Sequence, residues 1–334
     1  MKTLVTLLGA TLISFLLMHA VPGNPWSNYS TQQRLLPNFS SSKAMERDIT
    51  NRFGLDQPLW RQYIRFIIGD FDSHGLFFCG AICGNLGPSI QQQGRTVQDI
   101  LFKPTNGINF WTSQFGYSVR LVFSGLLIAT SSGVLLGMLS SRKPRSNLTR
   151  SISFSLAVLT SIPNFVLGLL AIIVLASWLK VIKVLPDWNN WTHWIVPALV
   201  LSVAPMASMA RVTHTSLVNV LKEDYIRTAR AKGLTEIRVL VVHAFRTALI
   251  PILAFLGPMI MELFAGLFIV ENLYAFPGFG RQYWVSVLQL DYPVVISLTL
   301  LLAVVVAMIN LVIDLLSAVL DPRMRSSSRI GETW

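Results

Sequence analysis

Six stretches of 19 to 26 residues are predominantly apolar: Thr3 to Val21, Phe115 to Leu139, Phe154 to Leu179, Trp194 to Leu217, Thr247 to Phe268 and Pro293 to Leu316. A hydrocarbon core about 30 Å thick takes about 20 residues of helix, and a backbone inside lipid has to satisfy its own hydrogen bonds. The chain therefore reads as an all-α polytopic membrane protein with six transmembrane helices. Composition agrees: charged residues are 13% of the chain, against about a quarter in soluble domains.

Residues 1–22 read as transmembrane helix 1, uncleaved, because Pro22-Gly-Asn-Pro25 lacks a small-x-small cleavage pattern. Residues 23–112 hold no segment able to cross a bilayer and form a large extracytoplasmic insertion between helices 1 and 2. Within it Pro58, Leu59, Tyr63, Ile64 and Ile67 outline an amphipathic helix, and Cys79 and Cys83 form a possible disulfide if the segment faces an oxidising compartment. Residues 113–334 are a five-helix transmembrane core. Its first span is rich in small residues, among them Gly125, Ala129, Gly133 and Gly137, which let helices approach closely and point to protein packing over much of its surface. The next is interrupted at Ser161-Ile-Pro163-Asn164-Phe165, which is read equally as a simple kink or as pathway lining. Trp188, Trp191 and Trp194 suit an interfacial belt.

The net charge of +11 is accounted for by topology rather than by nucleic acid. Segments 141–151, 211–246 and 321–334 hold 14 Lys and Arg, whereas 180–193 and 275–291 hold 3. Positive residues gather on the cytoplasmic side, so both termini are placed in the cytoplasm.

Between the fourth and fifth spans, residues 218–251 are polar and basic. Glu223 and Asp224 open a short helix, Arg227, Arg230 and Lys232 crowd its end, and Gly233 supplies a left-handed terminator. Val220, Leu221, Tyr225, Ile226 and Ala229 make a narrow apolar stripe sized for a partner's groove. By periodicity alone, a loop helix resting on lipid headgroups is an equal reading.

Tyr225-Ile-Arg-Thr-Ala-Arg-Ala-Lys-Gly233 followed by His243-Ala-Phe-Arg246 through Pro251 resembles the ATPase-docking loop of ABC-importer membrane subunits of the dipeptide and oligopeptide permease family. Against the general importer motif, only Ala229 and Gly233 match; Arg227, Thr228, His243, Phe245 and Arg246 depart from it in the way the peptide-permease branch does. Gly54-Leu-Asp-Gln-Pro58 with Gln62-Tyr63, Gly84-Asn-Leu-Gly-Pro-Ser89, Glu271 with Pro277-Gly-Phe-Gly280, and Asp314 with Asp321-Pro-Arg323 are similar to further segments of that family. The residues Ser27 to Lys43 and His74 to Cys83 are additions to its pattern.

The resemblance implies a type I ABC importer permease fold in a bacterial plasma membrane. It implies a second homologous permease subunit, two cytoplasmic ATP-binding subunits and an extracytoplasmic substrate-binding protein, with lipid around them. Its coupling residues are Glu223, Asp224, Tyr225, Arg227, Thr228, Ala229, Arg230, Lys232 and Gly233. Short peptides lead as cargo, and nickel chelates or glutathione share the permease type. A passive channel or a membrane sensor is the reading from another class. The sequence holds no phosphate-binding Gly-x-x-x-x-Gly-Lys-Ser/Thr, no His-Glu-x-x-His and no Gly-x-Ser-x-Gly. ATP and Mg are accordingly assigned to partner subunits, with no cofactor or metal on this chain. Ser161, Pro163, Asn164, Met259 and Glu262 are the candidate pathway residues. For Glu262 the open roles are binding a substrate amine, being protonated, or pairing with a base on a partner subunit.

Overall fold

The computed structural model describes residues 2–20, 50, 54–71, 77–92, 94–104, 109–143, 146–181, 187–188 and 190–320. The Pro22 to Pro25 exit, the Ser27 to Lys43 addition, His74, and Asp321 to Arg325 lie outside them, as does the side chain of Asp314. The chain divides into two compact units, one of Met1–Tyr117 with Pro277–Ala307, the other of Ser118–Phe276 with Met308–Trp334.

The first unit holds α1 (Lys2–Ala20), α2 (Leu59–Ile67), a hairpin of β1 (Gly69–Phe71) and β2 (Phe77–Cys79), α3 (Val97–Phe102), α11 (Phe279–Leu288) and the start of α12 (Tyr292–Leu320). Its core joins Phe15 and Met18 of α1 to Tyr63 and Phe66 of α2 and to Tyr292, Val295 and Ile296. Helix α2 buries only part of the face its apolar periodicity predicts. Leu59 and Ile64 are exposed, while polar Gln62 is buried. Gln62 can be inside because its amide donates to the carbonyls of Gln57 (2.7 Å) and Leu55 (3.3 Å), and its oxygen meets Nε2 of His19 at 3.3 Å. A buried amide with its bonds made costs little.

The antiparallel hairpin pairs Gly69 with Cys79 and Phe71 with Phe77, a local departure from an all-helical reading. At its end Cys79 and Cys83 are bridged across a Cα separation of 5.8 Å. Gly80 between them is obligatory, because a Cβ there would sit 2.5 Å from the Phe66 carbonyl oxygen. Asp291 ties the unit together. Its carboxylate caps α12 at the Val294 N–H and also accepts from Ser89 Oγ and from the N–H groups of Ile90 (3.1 Å) and Gln91 (3.3 Å). Burial holds this carboxyl above the usual range, with those four donors pulling the other way.

The second unit contains most of α4 (Gln114–Ser141), then α5 (Asn147–Ser161), α6 (Asn164–Trp178), α7 (Ile195–Val220), α8 (Asp224–Ala231), α9 (Glu236–Ala254) and α10 (Leu256–Leu273). One face of α4 is a glycine seam against α7. A Cβ on Gly133 would lie 2.8 Å from the Met206 carbonyl oxygen, and one on Gly137 would lie 2.5 Å from Thr213 Cβ. The opposite face, through Phe123, Leu127, Leu135 and Leu139, is exposed. Packing within this chain is thus on the small-residue side.

Two spans differ from their sequence-based expectation. Among the described residues, five helical segments are long and apolar enough to cross a bilayer (α4, α9, α10, Trp191–Val220 and Tyr292–Ile313), and the broken pair α5 and α6 makes a sixth if it is one span. That pair turns by 93° at Ile162-Pro163, a corner rather than a kink. Proline cannot donate, and it forces the residue before it out of helical geometry: Ile162 has φ −91° and ψ 122°. The predicted fifth span is two helices parted at Phe255, where Pro258 has no N–H for the Ala254 carbonyl. Two of the three tryptophans also pack within the chain. Trp194 is buried, and Trp188 and Trp194 both stand edge-on to Phe276 with centroids 4.6 and 4.7 Å away, leaving Trp191 exposed.

Candidate coupling surface and pathway residues

Helix α8 has eight residues, too few to be stable in isolation. Tertiary packing holds it. Ile226 and Ala229 are buried in a core formed with Leu217 of α7, with Val239, Leu240, Ala244 and Ala248 of α9, and with Met209 and Ala129. The apolar stripe therefore seats in this chain's own core, correcting its assignment to a partner's groove: Ile226 is 0% exposed. What α8 offers outward is its polar face, with Asp224, Tyr225, Arg227, Thr228, Arg230 and Lys232 all exposed.

Both ends of α8 are built locally. Glu223 occupies the N-cap position without bonding through its side chain, so the helix begins one residue later than the acidic pair suggests. At the other end Gly233 has φ +78°, Leu234 N–H bonds to the Ala229 carbonyl (3.4 Å) and Gly233 N–H to that of Arg230 (2.9 Å). This is the paired six-to-one and five-to-two closure that a left-handed residue permits. Leu234 packs onto the same core as Ala229. No atom lies within 4 Å of a Cβ on Gly233, so backbone conformation rather than space demands glycine.

Two contacts invisible in the sequence fasten α8 to α9. Arg230 Nε and Nη2 grip Glu236 at 2.8 and 3.2 Å, and the Tyr225 hydroxyl meets Thr247 Oγ1 at 2.9 Å. Separations of 6 and 22 residues give no helical spacing by which to find them. Arg227 turns back on Asp224 at 3.3 Å. The second half of the motif contains a widened helical turn over Val239–Ala244 that includes His243, a feature common at functional sites.

The pathway candidates are not one cluster. Ser161 and Pro163 are exposed at the corner between α5 and α6, and Asn164 begins α6 half-buried. The Asn164 amide lies 3.3 Å from where a Cβ on Gly266 would stand, so it approaches α10 one turn beyond Glu262. Glu262 is half-buried, and among the described residues no hydrogen-bond or ion-pair partner is found for it. Met259 is fully enclosed in the apolar core and lines no surface of this chain. Glu271, by contrast, is fully buried and accepts from Ser118 Oγ at 2.5 Å.

The described residues thus form a core of long apolar helices that carries a short, outward-facing helix on the joint between two of them. The chain belongs to the family of binding-protein-dependent transport system inner membrane components, whose model matches residues 133–326. It is 33% identical over 321 residues to the dipeptide transport system permease protein DppB of Bacillus subtilis, covering 96% of this chain and 94% of the relative. It is 32% identical to the oligopeptide transport system permease protein AppB of the same organism, with 95% of each chain covered. It is 30% identical to DppB of Escherichia coli, over 96% of this chain and 95% of that one. The chain is thus a multi-pass permease subunit of an ABC importer.

Proposed function

We propose that this chain is one of two membrane subunits of an ATP-driven importer of short peptides, and that α8 is the surface on which a cytoplasmic ATPase seats. The single observation that carries the reading is the division of α8 between two faces. Ile226 and Ala229 lock it into a core shared by α7 and α9, while Tyr225, Arg227, Thr228, Arg230 and Lys232 face outward. A push on the outer face cannot be absorbed by α8 alone and passes to both apolar helices. Coupling of this kind requires contacts that differ between two states of the transporter.

In this reading the chain hydrolyses nothing, and ATP and Mg belong to two partner ATPases. The segment carrying the Cys79 to Cys83 bridge lies on the extracytoplasmic side of a bacterial plasma membrane, where a bridge survives, and meets the binding protein there. Both termini are cytoplasmic. The peptide cargo follows the names of the relatives. The half-buried Glu262, next to the turn that Asn164 approaches, is the group assigned to the path, as a site for a substrate amine.

The test is ATP-driven uptake of labelled peptides into proteoliposomes containing the assembled complex and its binding protein. Di- and oligopeptides should accumulate, and nickel chelates or glutathione should not. Ala229→Glu should abolish uptake in protein that still inserts, and unchanged uptake would defeat the coupling assignment.

A further inference from the structure

Leu139, Leu148, Leu221 and Leu240 wall a cavity of about 350 Å³ whose rim carries Arg142 and Lys143. We propose that it binds an anionic phospholipid, the phosphate held by Arg142 and Lys143 and an acyl chain lying along α4. Charge is the first argument. Glu236 also borders the cavity, but its carboxylate is occupied by Arg230, and among the described residues no carboxylate pairs with Arg142 or Lys143. The rim is therefore left net positive. The sequence from 141 to 151 also holds Arg145 and Arg150 and contains no acid.

The second argument is the course of the apolar surface. Phe123, Leu127, Leu135 and Leu139 recur every four or eight residues along α4, are each 37% to 58% exposed, and end with Leu139 in the cavity wall, with Ser131 the one polar side chain exposed in the row. The far end of this stripe is also closed by a base among tryptophans, where Arg120 lies 4.5 Å from the Trp194 ring centroid and Trp188 and Trp191 line a second cavity. Twenty-two positions separate Arg120 from Arg142, which is about 33 Å of helix against about 30 Å of hydrocarbon. Basic and aromatic residues at that spacing place the two ends of the stripe at the two headgroup levels, where lipid phosphate lies. The site adjoins the coupling surface, since Leu221 precedes α8 and Leu240 packs beneath it.

Native mass spectrometry of the purified complex in detergent, titrated with an equimolar mixture of phosphatidylglycerol and phosphatidylcholine, tests this. Wild-type complex should retain phosphatidylglycerol preferentially. Arg142→Gln with Lys143→Gln should weaken its retention about thirtyfold, whereas Arg142→Lys should preserve it. Leu148→Trp, on an exposed position, fills the cavity without changing charge and should also expel the lipid. Equal retention of both lipids by wild type overturns the proposal. So does a double variant that keeps its lipid but sheds the ATPase subunits, which would make the cavity a protein contact, or disulfide trapping of a cysteine at Leu135 to the second permease subunit.

Discussion

Gly233, Ala229 and Asp291 each hold a position for a different physical reason, and each reason makes a distinct prediction. At Gly233 the φ of +78° is the constraint. Gly233→Ala should cost about 1–2 kcal/mol and Gly233→Asn less, read as melting temperature of the purified complex. The reverse order would mean that space is limiting. Ala229→Glu places a carboxylate in a sealed apolar core, at a cost of several kcal/mol unless it protonates. The helix should swing out, seen as faster proteolysis between Lys222 and Arg238. Asp291 has a folded-state pKa raised by burial above 3.8. Its contribution is therefore fully present below that value and is lost as pH rises through the higher folded value. In Asp291→Asn this acid-range slope should vanish from the melting temperature plotted against pH, and an identical slope in wild type and variant would refute the assignment.

Among the elements, the α4 and α7 seam gives the sharpest contrast. Gly137 would drive a Cβ to 2.5 Å from Thr213 Cβ and 2.7 Å from the Ala210 carbonyl, whereas Gly125 would meet only the ends of Leu263 and Leu201 at 3.3 and 3.4 Å. Gly137→Ala should cost about 1–3 kcal/mol by forcing helices apart, and Gly125→Ala should be nearly neutral because leucine ends can move. Comparable losses at both sites, measured by thermal unfolding in detergent, would show that the seam does not govern stability. The Arg230 to Glu236 grip is predicted to matter little for stability. Both side chains are substantially exposed, and pairs of that kind contribute about 0–1 kcal/mol.

For the whole molecule, the consequence of the shared core under α8 is that damage to coupling and damage to assembly should separate. Charge reversal on the outer face, Arg227→Glu, leaves the core intact and should lower ATPase binding, whereas Ala229→Glu should also disturb α9. Pull-down of the ATPase subunits with each variant distinguishes the two, and equal binding by wild type and Arg227→Glu would place the ATPase elsewhere.

Membrane residence and helical class were settled by sequence alone, because hydrocarbon thickness and backbone hydrogen bonding leave an apolar run of 20 residues few alternatives. The Gly233 terminator was legible for a similar reason, since a left-handed position after a basic helix end calls for glycine. Tertiary structure decided what local patterns leave degenerate. An apolar stripe such as Ile226 and Ala229 fits its own core or a partner's groove equally well, and only packing chose the first. It also buried Gln62 in preference to Leu59, turned Pro163 into a right-angle corner, and sealed Met259 in a core instead of on a path. Each outcome depends on neighbours distant in sequence, whose bonds and volumes no periodicity encodes.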